Sequence, residues 1–426
     1  MSLALSPDRI SLMHRLWRLL PAHARRRMLC RAGSWLAPSI EPGMPAANSG
    51  VLVAGELSNP SGLGEGARLM HQALTRLRVP DWCIDTGSPW KLTKICPETS
   101  LLASIPVQAP LILHAIAPTL PLIMCRLPRA VVGRRRIVGF WTWELPIVPA
   151  DWFLGARHVH EVWVPSRFIA AAIEPVLPGR VRVVPHPMAV APPRPSALDR
   201  AAFGLPDNAV VILVSFNLAS SLTRKNPLAA IAAFKAAFGD RQDRLLLLKV
   251  GNPHHFPRDF ARLADAAAAP NIRLETRNLS VSDNHALIAA TDLVLSLHRS
   301  EGFGLVLAEA MLLGKPVIAT GWSGNLDFMD ADNSALVGFR LVPAFDPRGT
   351  YNMADAVWAE PEIAEAIAHL RRLADDTTER HALGARARNA ARERLGAEPL
   401  ADAVRALGIP LQSDRDARLA PPGTDI

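Results

Sequence analysis

Cysteine is scarce. Only Cys30, Cys83, Cys96 and Cys125 occur in 426 residues, with no Cys-x-x-Cys pair and no sequence-local histidine–cysteine cluster. That excludes a disulfide scaffold, gives no ground for a structural zinc site, and points to a reducing compartment. No apolar run reaches the roughly 20 residues a bilayer-spanning helix needs. The first residues also lack the charged, apolar, then small-residue order of a secretory signal, so a cytoplasmic location is expected. Charged residues make up 20% of the chain and apolar ones 49%, which is a globular composition rather than a disordered one. The net charge of +8 invites a polyanion partner. Arginine in an alanine- and proline-rich background carries much of it, and no nucleic-acid module accompanies it, so no nucleic acid is expected. The histidines form no His-Glu-x-x-His motif, and the adjacent pair His254–His255 stands without further ligands. No metal and no cofactor are expected.

The length implies two large domains. Residues 1–45 form a basic N-terminal segment. Within it Ile10, Met13, Leu16, Trp17 and Leu20 recur at helical spacing, and Arg25, Arg26 and Arg27 come after them. A basic amphipathic helix over residues 8–31 suits either peripheral contact with a membrane surface or a cap on its own domain. From Gly50 the chain alternates. "GVLVAGEL", "APLILHAI", "RRRIVGFWTW", "EVWVPS" and "RVRVVPHP" read as buried strands separated by helical stretches, giving an α/β domain over residues 46–195. The proline-rich "MAVAPPRPSALDR" is a linker. A second cycle over residues 205–385 runs through "AVVILVSFN", "RLLLLKVG", "NIRLETRN", "DLVLSLH" and "KPVIAT", and a C-terminal helix and tail occupy residues 386–426. The stretch "EIAEAIAHLRRLADDTTERHALGARARNAARERL" reads as helical. Two doubly wound sheets bind ligands beyond the carboxyl ends of their strands, which places the site in a cleft between lobes.

Four stretches carry candidate chemistry. In "SLHRSEGFGLVLAEAMLLGKP" a strand ends near His298, Gly302 and Gly304 allow a tight turn, and a helix starts at Leu305. Its first amides are unpaired donors at the positive end of a helix dipole, an anion site. Glu301 precedes that site, and Glu309 lies about one turn in. One carboxylate on each side of a phosphate-sized pocket suits a nucleoside diphosphate sugar. In "SFNLASSLTRKNPLAAIAAF" Arg224 and Lys225 sit ahead of a helix opened by Pro227. Cations there oppose the dipole unless an anion lies between, and they could neutralise a departing diphosphate without a metal. Gly62, Gly64 and Gly66 fail the dinucleotide fingerprint but allow close backbone approach. Trp141, Trp143, Trp152 and Trp163, with Glu144 and Ser166, form either a sugar-binding wall or core, and Trp163 reads as core. Asp330-Ala331-Asp332 has a metal–diphosphate form but lies in a polar turn, so turn chemistry accounts for it better.

"RKNP", "SLHRSEGFGLVLAEAMLLGKPVIAT" and "GWSGN", with "SGLGEGAR" and "WVPSRF" in the first half, resemble the retaining GT-B glycosyltransferases of family four, the glycosyl transferases group 1 class. The resemblance extends over most of residues 50–395. It implies a GT-B fold of two Rossmann-like domains and transfer with retention. Glu301 would contact the donor sugar, the backbone of Gly302, Phe303, Gly304 and Leu305 would hold sugar and diphosphate, and Glu309 would bind the ribose. Arg224 and Lys225 would stabilise the leaving diphosphate. Arg277, Asn278 and Leu279 would lie near the nucleobase, and Gly62 and Gly64 would shape the acceptor side. The chain departs from the common pattern in its adjacent basic pair and in the first-lobe histidine, for which His114 is the candidate.

The resulting expectation is a metal-independent enzyme moving a hexose such as mannose from a nucleotide sugar to a saccharide or lipid-linked saccharide. It would serve exopolysaccharide or lipopolysaccharide synthesis at the inner face of the membrane. An epimerase or hydrolase of nucleotide sugars, or a non-catalytic binding subunit, are the alternatives.

Overall fold

The structure, a computed structural model, describes residues 22–411 apart from residue 92. Two six-stranded parallel sheets carry the molecule. The first consists of β1 (Val51–Gly55), β2 (Asp81–Asp85), β3 (Leu111–His114), β4 (Ile137–Phe140), β5 (Glu161–Val164) and β6 (Val181–Val183), in the order β2-β1-β3-β4-β5-β6. The second consists of β7 (Val210–Asn217), β8 (Arg244–Gly251), β9 (Ile272–Glu275), β10 (Leu293–Ser296), β11 (Val317–Thr320) and β12 (Ala335–Val337), in the order β12-β11-β10-β7-β8-β9. The central strands β1, β3, β4 and β11 are buried at every position. Helices cover both faces, which is why these strands read as continuous apolar runs rather than alternating ones.

Serine caps set several of the covering helices. Ser61 accepts from Gly64 N at 3.0 Å to open the helix Gly62–Arg76, and Ser166 does the same from Ile169 N for Arg167–Ile173. Ser280 caps Val281–Ala290, the helix on which the proline-rich connection rests: Arg194 N donates to His285 Nδ1 at 3.1 Å and Ser196 N to Ser282 O at 3.0 Å.

Several elements differ from the sequence expectation. Strand β2 is an edge strand of Asp81, Trp82, Cys83, Ile84 and Asp85, too polar to stand out as a strand. The antiparallel hairpin β13 (Phe339–Pro343) and β14 (Val357–Pro361) is stitched by pairing that local periodicity does not reveal. The long C-terminal helical stretch breaks at Asp376. There the backbone turns extended, and the carboxylate caps the next helix by accepting from Glu379 N at 2.8 Å. The last described helix, Glu398–Ala406, crosses back to the first lobe. Leu400 and Val404 join Val51, Val53 and Met70 in one apolar cluster.

Among the described residues no helix is long and apolar enough to cross a membrane. Residues 8–21 of the basic segment lie outside the described residues. Residues 22–31 fall in the helix Ala22–Leu36, which packs on Leu120–Arg126 and Trp152–Ala156.

Candidate active site

The strand order of the second sheet reverses between β7 and β10, the position at which doubly wound sheets open a crevice. Two loops leave the carboxyl ends of those strands. After β7, Ser221 and Asn226 both adopt left-handed backbone, with φ of 69° and 51°, and bracket the single turn Leu222–Lys225. Such conformations are unfavourable away from glycine and hold only where the surroundings fix them. Here Ser221 Oγ donates to Asp346 at 3.0 Å and accepts from Arg224 N at 3.3 Å. The loop therefore presents Arg224 and Lys225 side by side. After β10, the chain turns through Ser300–Gly304 into the helix Leu305–Leu312. Gly304 sits at φ 100°, where a side chain is strained, and a Cβ on Gly302 would come within 2.8 Å of the Trp143 carbonyl of the first lobe. Both glycines are required by the backbone.

These loops meet in a buried ion cluster. Arg224 and Glu301 are 3% and 8% exposed. Lys225 Nζ donates to Glu301 Oε1, and Arg224 Nη1 lies 3.4 Å from Glu301 Oε2. Arg224 also donates to the carbonyl of Ser300 at 2.8 Å. Burial alone would raise the Glu301 carboxyl, but Lys225 and Arg224 outweigh it and hold it at about 2. Burial in turn lowers Lys225, with the attraction of Glu301 opposing it. His298 fixes the floor from below: it shares hydrogen bonds with Ser296 Oγ at 3.0 Å and Asn325 Oδ1 at 3.2 Å.

The cluster lines a cleft with a volume of about 900 Å³ that runs between the lobes. Gly302, Phe303, Gly304, Leu305 and Glu309 line it along the Leu305–Leu312 helix, and Asn278 and Leu279 line its far end. The first intrahelical bond runs from Leu307 N to Gly304 O, so the amides of Leu305 and Val306 precede it at the cleft wall. Glu309 faces His285 at 3.7 Å. Burial would lower His285, yet the hydrogen bond and charge of Glu309 outweigh it and raise it.

Some expected residues lie elsewhere. Arg277 turns outward, donates to Glu275 Oε2 from Nε at 2.9 Å, and does not line the cleft; only its backbone is near, through Lys249 Nζ on its carbonyl at 2.8 Å. Gly62 lines the cleft beside Leu305, whereas Gly64 is a capping position where a Cβ would strike Glu56 O at 2.4 Å. Trp141, Trp143 and Trp152 pack on one another in the core, so they make no sugar wall. His114 is buried and stacked on Phe140 at 4.4 Å. His186 lines the cleft instead, packed edge-on to Phe303, and burial pushes it down to about 4. His186, His285 and Lys249, which line the cleft, carried no sequence signal, because each reaches its place through tertiary packing. The Asp330 turn is as expected: its carboxylate accepts from the amides of Asp332 and Asn333 and pairs with Arg394.

One grouping was not legible in the spacing. The donor atoms of His71, Asp81 and Cys83 come within 4.8 Å of one another at the first-lobe edge, outside the residues that line the cleft. His71 and Asp81 already pair. Burial, with Asp81 beside it, pushes the Cys83 thiol up to about 12, so it stands as a neutral packing group.

Replacing Glu301 by glutamine leaves two buried cations short of a partner and is expected to cost about 3–5 kcal/mol near neutral pH. Because the folded Glu301 is held at about 2 against an ordinary 4.5, its stabilisation is complete above 4.5 and lost as pH falls toward 2. Urea unfolding of wild type and Glu301→Gln should therefore show a stability gap that narrows over that window. A gap that stays constant contradicts the assigned pairing.

Residues 210–358 match the model of the family described as Glycosyl transferases group 1. D-inositol 3-phosphate glycosyltransferase of a Nocardioides species is 31% identical over 194 residues, 42% of this chain and 40% of the relative. The enzyme of the same name from Saccharomonospora viridis is 30% identical over 179 residues, 41% of each chain. The chain thus matches well under half the length of these relatives. Among solved structures, sucrose-phosphate synthase of Thermosynechococcus elongatus superposes with a TM-score of 0.59 at 15% identity, covering 84% of this chain and 99% of the other. HepE of Anabaena, solved with UDP and glucose, gives 0.56 at 15% over the same shares. WaaG, a glycosyltransferase of lipopolysaccharide biosynthesis, gives 0.51 at 17% over 83% and 99%. Over residues 210–358 the second lobe is thus similar to the glycosyl transferases group 1 family, and the two lobes together form a GT-B fold.

Proposed function

We propose that the chain is a retaining, metal-independent glycosyltransferase that moves a hexose from a nucleotide sugar to a saccharide or lipid-linked saccharide. The observation that carries this reading is the cluster of Arg224, Lys225 and Glu301 beside an open helix start at the strand-order reversal. In this reading Arg224, Lys225 and the amides ahead of Leu307 take the diphosphate, and Glu301 takes hydroxyls of the sugar. Glu309 takes the ribose, while Asn278, Leu279 and the Arg277 backbone border the base. The acceptor enters from the Gly62 side. The bond from the anomeric carbon to the diphosphate oxygen breaks as the acceptor oxygen bonds to the same face, and the hydroxyl proton leaves with the diphosphate. Two cations neutralise the leaving group, so catalysis rests on positioning and electrostatics rather than on a protein nucleophile or a divalent ion. Mannose is the candidate sugar, and assembly of exopolysaccharide or lipopolysaccharide the candidate setting.

The described part of the N-terminal segment supports peripheral contact with the cytoplasmic face of a membrane. The helix Ala22–Leu36 exposes Met28 and Trp35 on one side, Trp35 to 87%, with Arg27 and Arg31 alongside. Apolar side chains flanked by arginines suit an anionic lipid surface. Co-sedimentation with phosphatidylglycerol vesicles is expected, with loss of most binding in Trp35→Ala/Met28→Ala; equal binding of the double variant contradicts the contact.

Thermal-shift screening with UDP-, GDP- and ADP-hexoses is expected to single out one nucleotide. Transfer from that donor, to lipid-linked saccharide or to D-inositol 3-phosphate, should persist in EDTA and fall by about 100-fold or more in Glu301→Ala. Undiminished transfer by the variant refutes the site. Free sugar or an epimerised donor formed without an acceptor favours the hydrolase or epimerase, and donor binding with no turnover favours a binding subunit.

A further inference from the structure

Of the cleft carboxylates that the donor-binding reading does not use, Glu56 and Glu65 have local partners in Ser61 and Arg68, and Glu144 pairs with Arg224. Glu144 enters from the first lobe, in the turn beyond β4, and its carbonyl accepts a hydrogen bond from Ser300 Oγ of the second lobe. Its carboxylate has two partners. Oε1 lies 3.7 Å from Arg224 Nη2, and Oε2 accepts from the Tyr351 hydroxyl at 3.2 Å. The Tyr351 ring also lies under the guanidinium, 5.6 Å from its carbon. One guanidinium therefore bridges the lobes: its Nη1 prong faces Glu301, and its Nη2 prong faces Glu144.

Charge balance selects which contact yields to a ligand. Arg224 and Lys225 balance Glu301 and Glu144, so the cluster is neutral without a ligand. A diphosphate adds negative charge to a largely buried site, where uncompensated charge is strongly unfavourable. One carboxylate must release its cation. Glu301 is the more firmly held, touching both cations, with its amide fixed by Ser323 Oγ at 2.8 Å. Glu144 has the longer ionic contact and a neutral second partner, and its side chain is 26% exposed against 10% for Glu301. Glu144 is the one that gives way.

We propose that Glu144 is an acceptor-positioning residue. It pairs with Arg224, yields that guanidinium to the donor diphosphate, and then accepts the hydrogen bond of the attacking acceptor hydroxyl. This rests on the transferase reading. It places the acceptor oxygen one guanidinium's width from the sugar held by Glu301, and it makes acceptor binding depend on prior arrival of the donor. It also gives the first lobe a chemical part in a site otherwise built by the second.

The test is Glu144→Gln, which keeps the shape and the backbone bond to Ser300 but removes the competing charge. Calorimetric titration with UDP, GDP and ADP should show the preferred nucleotide binding about threefold tighter or more than to wild type. Acceptor kcat/KM should fall about tenfold or more, mainly through KM. These opposite signs are not what a damaged strut gives. Diphosphate affinity and transfer falling together would overturn the proposal, as would unchanged acceptor kinetics. If the glutamine variant does not fold, Glu144→Asp, which draws the carboxylate back by one methylene, should show the same opposite signs. Wild type that binds none of the three nucleoside diphosphates overturns the transferase reading and this proposal with it. Wild type that binds and transfers, alongside a variant with unaltered acceptor kinetics, overturns this proposal alone.

Discussion

The contact of Glu301 with Lys225 and Arg224 is the constraint around which the second lobe is arranged. Charges taken out of water are costly unless each finds partners at close range. Two loops have to be held with little freedom to supply them. The left-handed Ser221 and Asn226 fix one loop, and the glycines at 302 and 304 fix the other. His298 and Asn325 lie beneath, hydrogen-bonded to each other and to the strand end. A group of this kind does little for stability compared with an apolar core of the same volume. Its position at the strand-order reversal, beside the start of a helix, is what ties it to ligand chemistry.

The first lobe completes the cleft by contact with the second at several points. Ser166 Oγ donates to the Gly302 carbonyl at 2.7 Å, and Arg167 N donates to Asp327 at 2.9 Å. The Trp143 carbonyl crowds Gly302, and Tyr351 reaches across to Glu144. The last described helix, Glu398–Ala406, packs on the first-lobe core, so the lobes are joined by the connection over residues 184–209 and by this return. Hinged domains joined this way can close on a ligand while keeping their individual cores intact.

The parts that were legible in the sequence are those whose chemistry is local. Strands buried on both faces give apolar runs. "RKNP" and "SEGFG" place cations and a carboxylate on loops after β7 and β10, which are neighbours in this sheet. What depends on tertiary packing was not legible. Arg277 finds Glu275 two residues away and turns outward, so the expected base contact keeps only its backbone. Trp143 is drawn into the core by Trp152 and Tyr351. Gly64 serves the cap of its own helix, and His186 rather than His114 reaches the cleft, because β3 ends in packing against Phe140 while the residues beyond β6 return toward Phe303. Tyr351, the single tyrosine of the chain, sits in a loop between two hairpin strands, where no periodicity marks it.

The central claim is that Arg224 and Lys225 exist to hold a diphosphate. Calorimetric titration of wild type and Lys225→Met with the preferred nucleoside diphosphate and its monophosphate measures this directly. The account predicts that wild type prefers the diphosphate by about tenfold or more, and that the preference collapses toward parity in the variant. Equal preference in both proteins would contradict it.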